Sequence, residues 1–338
     1  MKLQRYENNP IISPDPDSEW ESLVRTNPGA WYDEGTKEVL LLYRAAGNDK
    51  NHVIHLGMAK SKDGYNFENI SEKPVFGPSK DGFDSGCVED PRIIKMGDYF
   101  YITYASRPFF PGQYWLNEDN RPNLPFNMPE EFPITLRENK TSTGLLITKD
   151  FKKFIRAGRI TISTVDDRDV ILFPEKINGK FVMMHRPMSW IGAEYGTEYP
   201  AIWISYGDDL LNFSHSKILI KSKYDWEQKI GGNTPPIKTE HGWLTLYHAV
   251  GEDRHYRLGA LLLDLNDPSK VLHRSSDWLM QPEESYELEG HYNGVIFPCG
   301  KVVIDDRLFV YYGGADKYIG LATCSLKELL EYLLTCSD

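Results

Sequence analysis

Carboxylates, guanidinium groups and one imidazole recur at corresponding places along this chain: Asp90 and Asp316, Arg44, Arg168 and Arg186, and His248. Two or three guanidinium groups beside a histidine make an oxyanion site, because arginine offers fork-shaped donors that match phosphate or a carboxylate. A carboxyl group among them is pulled in two directions, its pKa lowered by the cations and raised by burial. The surrounding aromatic residues suit the face of a sugar ring. A small anion and a small-molecule carbohydrate are therefore the expected guests.

Residues this far apart in sequence meet only if a repeat brings them together. Pro28, Pro91, Pro174, Pro235 and Pro298 are separated by 63, 83, 61 and 63 residues, and each precedes a polar turn and an apolar run. Those runs are Val39–Arg44, Tyr99–Tyr104, Phe181–Arg186, Trp243–His248 and Leu308–Tyr312. A further run follows in each unit: Leu56–Ala59, Gly144–Ile147, Ala201–Ile204, Gly259–Leu262 and Ile319–Ala322. Their length and their β-branched and aromatic content make them strands. Five units of three or four strands predict an all-β fold, a five-bladed β-propeller that takes up residues 1–338 as a single domain. Two stacked β-sandwiches would leave the fivefold recurrence unexplained. In a rotational repeat, equivalent positions lie at similar depth around one axis. Asn27, Glu89 and Asp90 beside the prolines, and Arg44, Tyr104, Arg107, Arg186, His248 and Asp316 at the ends of the second strands, should then converge at one mouth.

The composition narrows the class further. With 338 residues, 38 Lys+Arg against 49 Asp+Glu and 41% hydrophobic residues, the chain has the apolar content of a folded protein. No stretch approaches the ~20 apolar residues of a membrane helix, so no membrane partner is expected. A formal charge of −11 argues against a duplex nucleic-acid binder, which needs a basic footprint. On the converging-residue reading, that charge is an average concealing a cationic pocket. Cys87, Cys299, Cys324 and Cys336 form no Cys-x-x-Cys pair, and the first residues contain no signal-like apolar core. A reducing, cytoplasmic location is expected.

Metal chemistry finds no support, since the histidines have no ligand spacing and no acidic Ca²⁺ loop occurs. There is likewise no Gly-x-Ser-x-Gly elbow and no glycine-rich phosphate loop. The longest gap in the repeat holds a segment, about 107–141, with six prolines and the aromatics Phe109, Phe110, Tyr114, Trp115, Phe126 and Phe132. A long aromatic-rich loop of this kind is expected as a lid, a binding loop or the contact of a homo-oligomer. Ser325 and Glu328 start a C-terminal helix over about 325–335, with Leu326, Leu329, Leu330 and Leu333 on one face.

At Val88-Glu89-Asp90-Pro91-Arg92, Phe173–Lys180, His185-Arg186-Pro187, Pro235–Thr239 and Gly242–His248, the chain resembles glycoside hydrolase family 130. The resemblance spans nearly the whole chain and implies a five-bladed propeller acting on β-mannosides. It further implies Asp90 as proton donor, acting through a hydroxyl of the bound mannose. Inorganic phosphate, a co-substrate in place of any cofactor, then attacks the anomeric carbon with inversion to give α-mannose 1-phosphate. The phosphate set implied is Arg168, Arg186, Lys229, His248 and Tyr256. Mannose is implied to contact Asn27, Arg44, Arg92 and Asp316, and Tyr104 joins them from its place in the repeat. The linkage cleaved is β-1,4 or β-1,2.

Two alternatives remain at this stage. Family 130 also contains inverting β-mannosidases, and Glu194 or Glu198 would serve such a hydrolase as base, the carboxyl groups standing about 6.5–9.5 Å apart. A non-catalytic carbohydrate-binding propeller is the other, and it has no need of an acid beside an oxyanion site.

Overall fold

The β-branched and aromatic runs pair with their sequence neighbours into successive antiparallel meanders. The computed structural model describes residues 1–116 and 123–337; residues 117–122 of the expected insertion, and Asp338, lie outside the described residues. The first meander comprises Val24–Asp33, Glu38–Ala46 and Ile54–Ser61, edged by Glu68–Asn69. The second is Cys87–Met96, Tyr99–Arg107, Ser142–Thr148 and Ile155–Arg159, and the third Asp167–Leu172, Phe181–Pro187, Ile202–Gly207 and Phe213–Ile220. In the fourth, Lys229–Gly232 and Ile237–Thr239 both pair with Gly242–Val250, followed by Tyr256–Leu263 and Val271–Arg274. The last runs through Ile296–Ile304, Arg307–Gly314 and Tyr318–Ser325, and the N-terminal Gln4–Arg5 adds its outer strand. Counted as sheets these are four, because the first two meanders join through one parallel bridge between Ile54 and Cys87.

The apolar core lies between meanders. Leu42 and Met58 of the first pack on Ile93 and Ile102 of the second, and Ile94 and Leu145 pack on Val170 and Met183 of the third. Met184 and Ile204 meet Trp243 and Leu261 of the fourth. Leu246 and Leu262 meet Val310 and Ala322 of the last, whose Phe309 and Leu321 pack back on Leu41 and Ala59 of the first. The first strands also approach backbone to backbone. A Cβ on Gly300 would come within 2.6 Å of the Pro28 carbonyl oxygen, and one on Gly29 within 2.5 Å of that of Pro91. These glycines let the polar ends of the strands come together.

The C-terminal helix forms over Leu326–Leu334, its N-terminus capped by the Ser325 side chain, with Leu329, Leu330 and Leu333 buried. The proline rule fails in the fourth unit, where Pro235 lies between Lys229–Gly232 and Ile237–Thr239, and in the third: Pro174 lies in a bend beyond the strand Asp167–Leu172. The residue that matches Asn27 and Asp90 there is Asp169.

Candidate active site

The first strands of the first three meanders share one defect. Register slips between Thr26 and Gly29, between Glu89 and Arg92, and between Arg168 and Ile171. At each slip one residue adopts a left-handed backbone: Asn27 at φ 46°, Asp90 at φ 55° and Asp169 at φ 55°. A bulge re-aims its side chain, and Asn and Asp are the non-glycine residues that tolerate this conformation best. Backbone and chemistry thus ask for the same residue types. Asp316, at φ 52° in the turn before Tyr318–Ser325, is presented similarly. All four line a cavity of about 380 Å³ with Arg44, Arg92, Arg168, Arg186 and Tyr256.

One side of the cavity is built around Asp90. Asn27 Nδ2 donates to its Oδ1 at 2.9 Å and approaches Asp316 Oδ1 at 3.3 Å. A single guanidinium serves three carboxylates, since Arg44 Nη1 lies 3.3 Å from Glu89, 3.6 Å from Asp90 and 3.8 Å from Asp316. Arg92 Nη1 donates to the Asp90 carbonyl oxygen at 3.1 Å. Burial pushes the Asp90 carboxyl up to about 6; Arg44 and Arg92 pull against this, and Glu89 and Asp316 add to it. Glu89 moves the other way: burial raises it, but Arg44 and Arg107 bring it below its ordinary value. Two adjacent carboxyls are therefore separated into an acid and an anion, the pattern of a general acid poised near neutrality.

The other side is cationic, with one anion at its centre. Asp169 lies 2.5 Å from Arg186 Nη2 and 3.5 Å from Arg92 Nη2. Burial would raise its pKa, but Arg186, Arg92 and Arg168 outweigh burial and bring it to about 2. Arg168 is held by Asp166 through Nε and Nη2, both at 2.8 Å. Lys229 donates to the Tyr256 hydroxyl at 2.9 Å; burial and the Arg186 charge push its ammonium down to about 7. His248 is fully buried, bonded through Nδ1 to Asn233 at 2.7 Å, with Nε2 3.7 Å from Asp169. Burial holds it well below the ordinary histidine value, hence neutral.

Asp90, Asn27, Arg44, Arg92, Asp316, Arg168, Arg186 and Tyr256 thus meet at one cavity, with Lys229 and His248 directly behind its wall. The insertion contributes too: Tyr114, Asn123, Glu138, Asn139, Lys140 and Thr141 line the same space. Tyr114 and Trp115 pack against His52 and His291 at its rim.

Tyr104 is a correction. Its side chain is absent from the cavity wall and fully buried, and its hydroxyl donates to Asp84 at 2.6 Å beside Arg156. The same triad recurs as Tyr43 with Glu21 and Arg25, Tyr247 with Glu227 and Arg274, and Tyr312 with Glu287 and Arg5. Each tyrosine faces a glycine on the next strand, Gly57, Gly144, Gly259 or Gly320, where a Cβ would strike the ring. In the third meander the place is taken by His185, bonded to Asp167 and Ser205 at 2.8 Å each. The matching repeat position therefore marks a packing device in the sheet. Glu194 and Glu198 are a second correction: both are exposed and neither lines the cavity.

Sequence reasoning missed Asp169, whose unit lacks the neighbouring proline, and left Glu89, Tyr292 and Phe297 without a role, although all four line the cavity. Among the described residues no His, Cys, Asp and Glu cluster able to hold a metal ion occurs, and no helix is long and apolar enough to cross a membrane.

Comparison with known proteins bears on this geometry. A family model for glycoside hydrolase family 130, described as β-1,4-mannooligosaccharide phosphorylase, matches residues 2–335. The chain is 36% identical to a 1,2-β-oligomannan phosphorylase of Thermoanaerobacter sp. (strain X514), covering 97% of this chain and 99% of that protein. It is 28% identical to a β-1,4-mannooligosaccharide phosphorylase of Ruminococcus albus, covering 99% and 92%. The structure superimposes on a β-1,2-mannobiose phosphorylase of Listeria innocua solved with β-1,2-mannobiose, with a TM-score of 0.79 at 28% identity over 98% and 99% of the two chains.

Proposed function

The chain belongs to glycoside hydrolase family 130, and from that premise we propose that it is an inverting β-mannoside phosphorylase. The observation that carries the reading is one cavity holding both a carboxyl whose pKa burial raises to about 6, Asp90, and a cationic wall, Arg168 and Arg186, suited to an anionic nucleophile. The meanders, each packed on the next and the last on the first, support a five-bladed β-propeller with these first strands around its axis.

In this reading mannose sits against Asn27, Arg44, Arg92 and Asp316. Asp90 passes its proton through a sugar hydroxyl to the glycosidic oxygen as the bond from the anomeric carbon breaks. Phosphate, held by Arg168, Arg186, Lys229 and Tyr256 with His248 behind, forms the new bond from the opposite face, giving α-mannose 1-phosphate. Phosphate is already an anionic nucleophile at neutral pH, so no second carboxylate has to activate it. Glu194 and Glu198, the bases the hydrolase alternative would use, are exposed and outside the cavity lining, which counts against that alternative. The 36% identity to a 1,2-β-oligomannan phosphorylase favours the β-1,2 linkage over β-1,4. A cytoplasmic setting, supported by four free cysteines, belongs to the same proposal.

Incubation with β-1,2-mannobiose in the presence and absence of inorganic phosphate tests it. Mannose 1-phosphate formed only with phosphate is the expected result; mannose released at equal rate without phosphate would overturn it.

A further inference from the structure

The cationic wall has unsatisfied groups of both kinds. Arg186 Nε and Nη1 are buried donors without an acceptor, and Asp169 Oδ2 and His248 Nε2 are buried acceptors without a donor. Asp169 Oδ2 is in ion-pair contact with Arg186 Nη2, but the angle between them makes no hydrogen bond. His248 cannot supply the missing proton. Asn233 Nδ2 donates to the Pro298 carbonyl at 2.8 Å, which turns Asn233 Oδ1 toward His248 Nδ1. That oxygen takes the Nδ1 proton, so a neutral His248 presents a bare Nε2 to the Asp169 side. Orphaned buried polar groups are costly and rare, and their clustering at one point marks a place completed by a ligand.

The complement of unpaired donors beside unpaired acceptors is an anion that both accepts and donates. Monohydrogen phosphate has that character, with three acceptor oxygens and one P–OH. Sulfate has the same charge and tetrahedral shape and no proton. Resting on the phosphorylase reading, we propose that Asp169, backed by His248, accepts a hydrogen bond from the P–OH of monohydrogen phosphate and rejects anions of like charge and shape that carry no proton. Toward a proton-free dianion the same carboxylate presents a like charge and an acceptor that receives no donor, the kind of discrimination in which hydrogen-bonding sites exceed apolar ones. The ion pairs that keep Asp169 ionised also keep it an acceptor. Gly231 leaves room for the arrangement: a Cβ there would collide with the Asp169 carboxylate and come within 2.5 Å of the His248 ring.

Calorimetric titration of the sugar-free wild-type protein at about pH 8 with phosphate, sulfate and monofluorophosphate, the last a dianion in which fluorine replaces the hydroxyl, provides the test. Phosphate should bind about 100-fold more tightly than either proton-free anion. In Asp169→Asn that ratio should fall to within a fewfold of one, chiefly because sulfate binds better. Equal affinities for the three anions in the wild type would overturn the proposal without help from any variant. So would an unchanged ratio in a folded Asp169→Asn protein. Failure of phosphate to bind at all, with sugar cleavage independent of phosphate, would instead bring down the phosphorylase reading on which it rests.

Discussion

Asn27 and Asp90 stand 63 residues apart at the same bulge of successive meanders, and the Asn27 amide donates to the Asp90 carboxyl across 2.9 Å. Because that bond occupies Oδ1, the exchangeable proton of Asp90 belongs on Oδ2. The repeat thus places an amide where it orients the acid in the next unit.

Replacing Asp90 by Asn keeps the bulge conformation and removes the proton. Phosphorolysis of β-1,2-mannobiose should fall by about 10²–10⁴-fold, the usual contribution of a general acid, with the circular dichroism spectrum unchanged. Turnover at the wild-type rate would take Asp90 out of the mechanism.

The pH profile follows from the same group. Asp90 must be protonated to act in phosphorolysis, and its pKa is raised to about 6, so kcat/KM should be sustained below that value and decline as pH rises through it. Glu89→Gln removes a like charge that raises the Asp90 pKa and leaves Arg44 freer to stabilise the ionised form. The alkaline limb should move to lower pH; a limb that stays in place or moves up contradicts this electrostatic account.

Lys229 is depressed to about 7 in the empty site, so above that pH it is largely neutral until an anion arrives. Phosphate binding at about pH 8 should take up a proton, read calorimetrically as a difference between buffers of unlike ionisation enthalpy. Lys229→Ala should abolish the uptake and raise the KM for phosphate about 10–100-fold. Proton uptake that persists in the variant would assign it to another group.

Tyr104→Phe separates packing from binding. Loss of the hydroxyl leaves buried Asp84 short of a donor and should cost about 1–3 kcal/mol of stability, measured by denaturant unfolding. KM values for mannobiose and phosphate should match wild type; a raised sugar KM would return Tyr104 to the binding site.

The meanders were legible because strand composition and proline spacing are local properties. The site was legible wherever it borrowed that spacing: Asn27, Asp90 and Asp316 are presented by turns and bulges next to the repeat landmarks. Asp169 was not, since its bulge is followed by Val170 and the nearest proline lies beyond the strand. Tyr104 misled for the opposite reason. Its equivalence to Tyr43, Tyr247 and Tyr312 is genuine, but the matching glycines in the following strands mark a ring packed on backbone. A repeat fixes depth around an axis and leaves open whether a side chain turns toward the axis or into the sheet. Glu194 and Glu198 lie in a loop between strands, where repeat arithmetic carries no information.

The strand Gln4–Arg5 closes on Tyr318–Ser325, and Asn9 bonds to Leu321 across 312 residues of chain. Asp316 sits beside that seam. During synthesis the N-terminal segment must therefore wait, unpaired, until the strand Tyr318–Ser325 has been made. Contacts of such long sequence separation form slowly, so a nascent chain from which Tyr318–Ser325 has not yet emerged has an open seam beside Asp316.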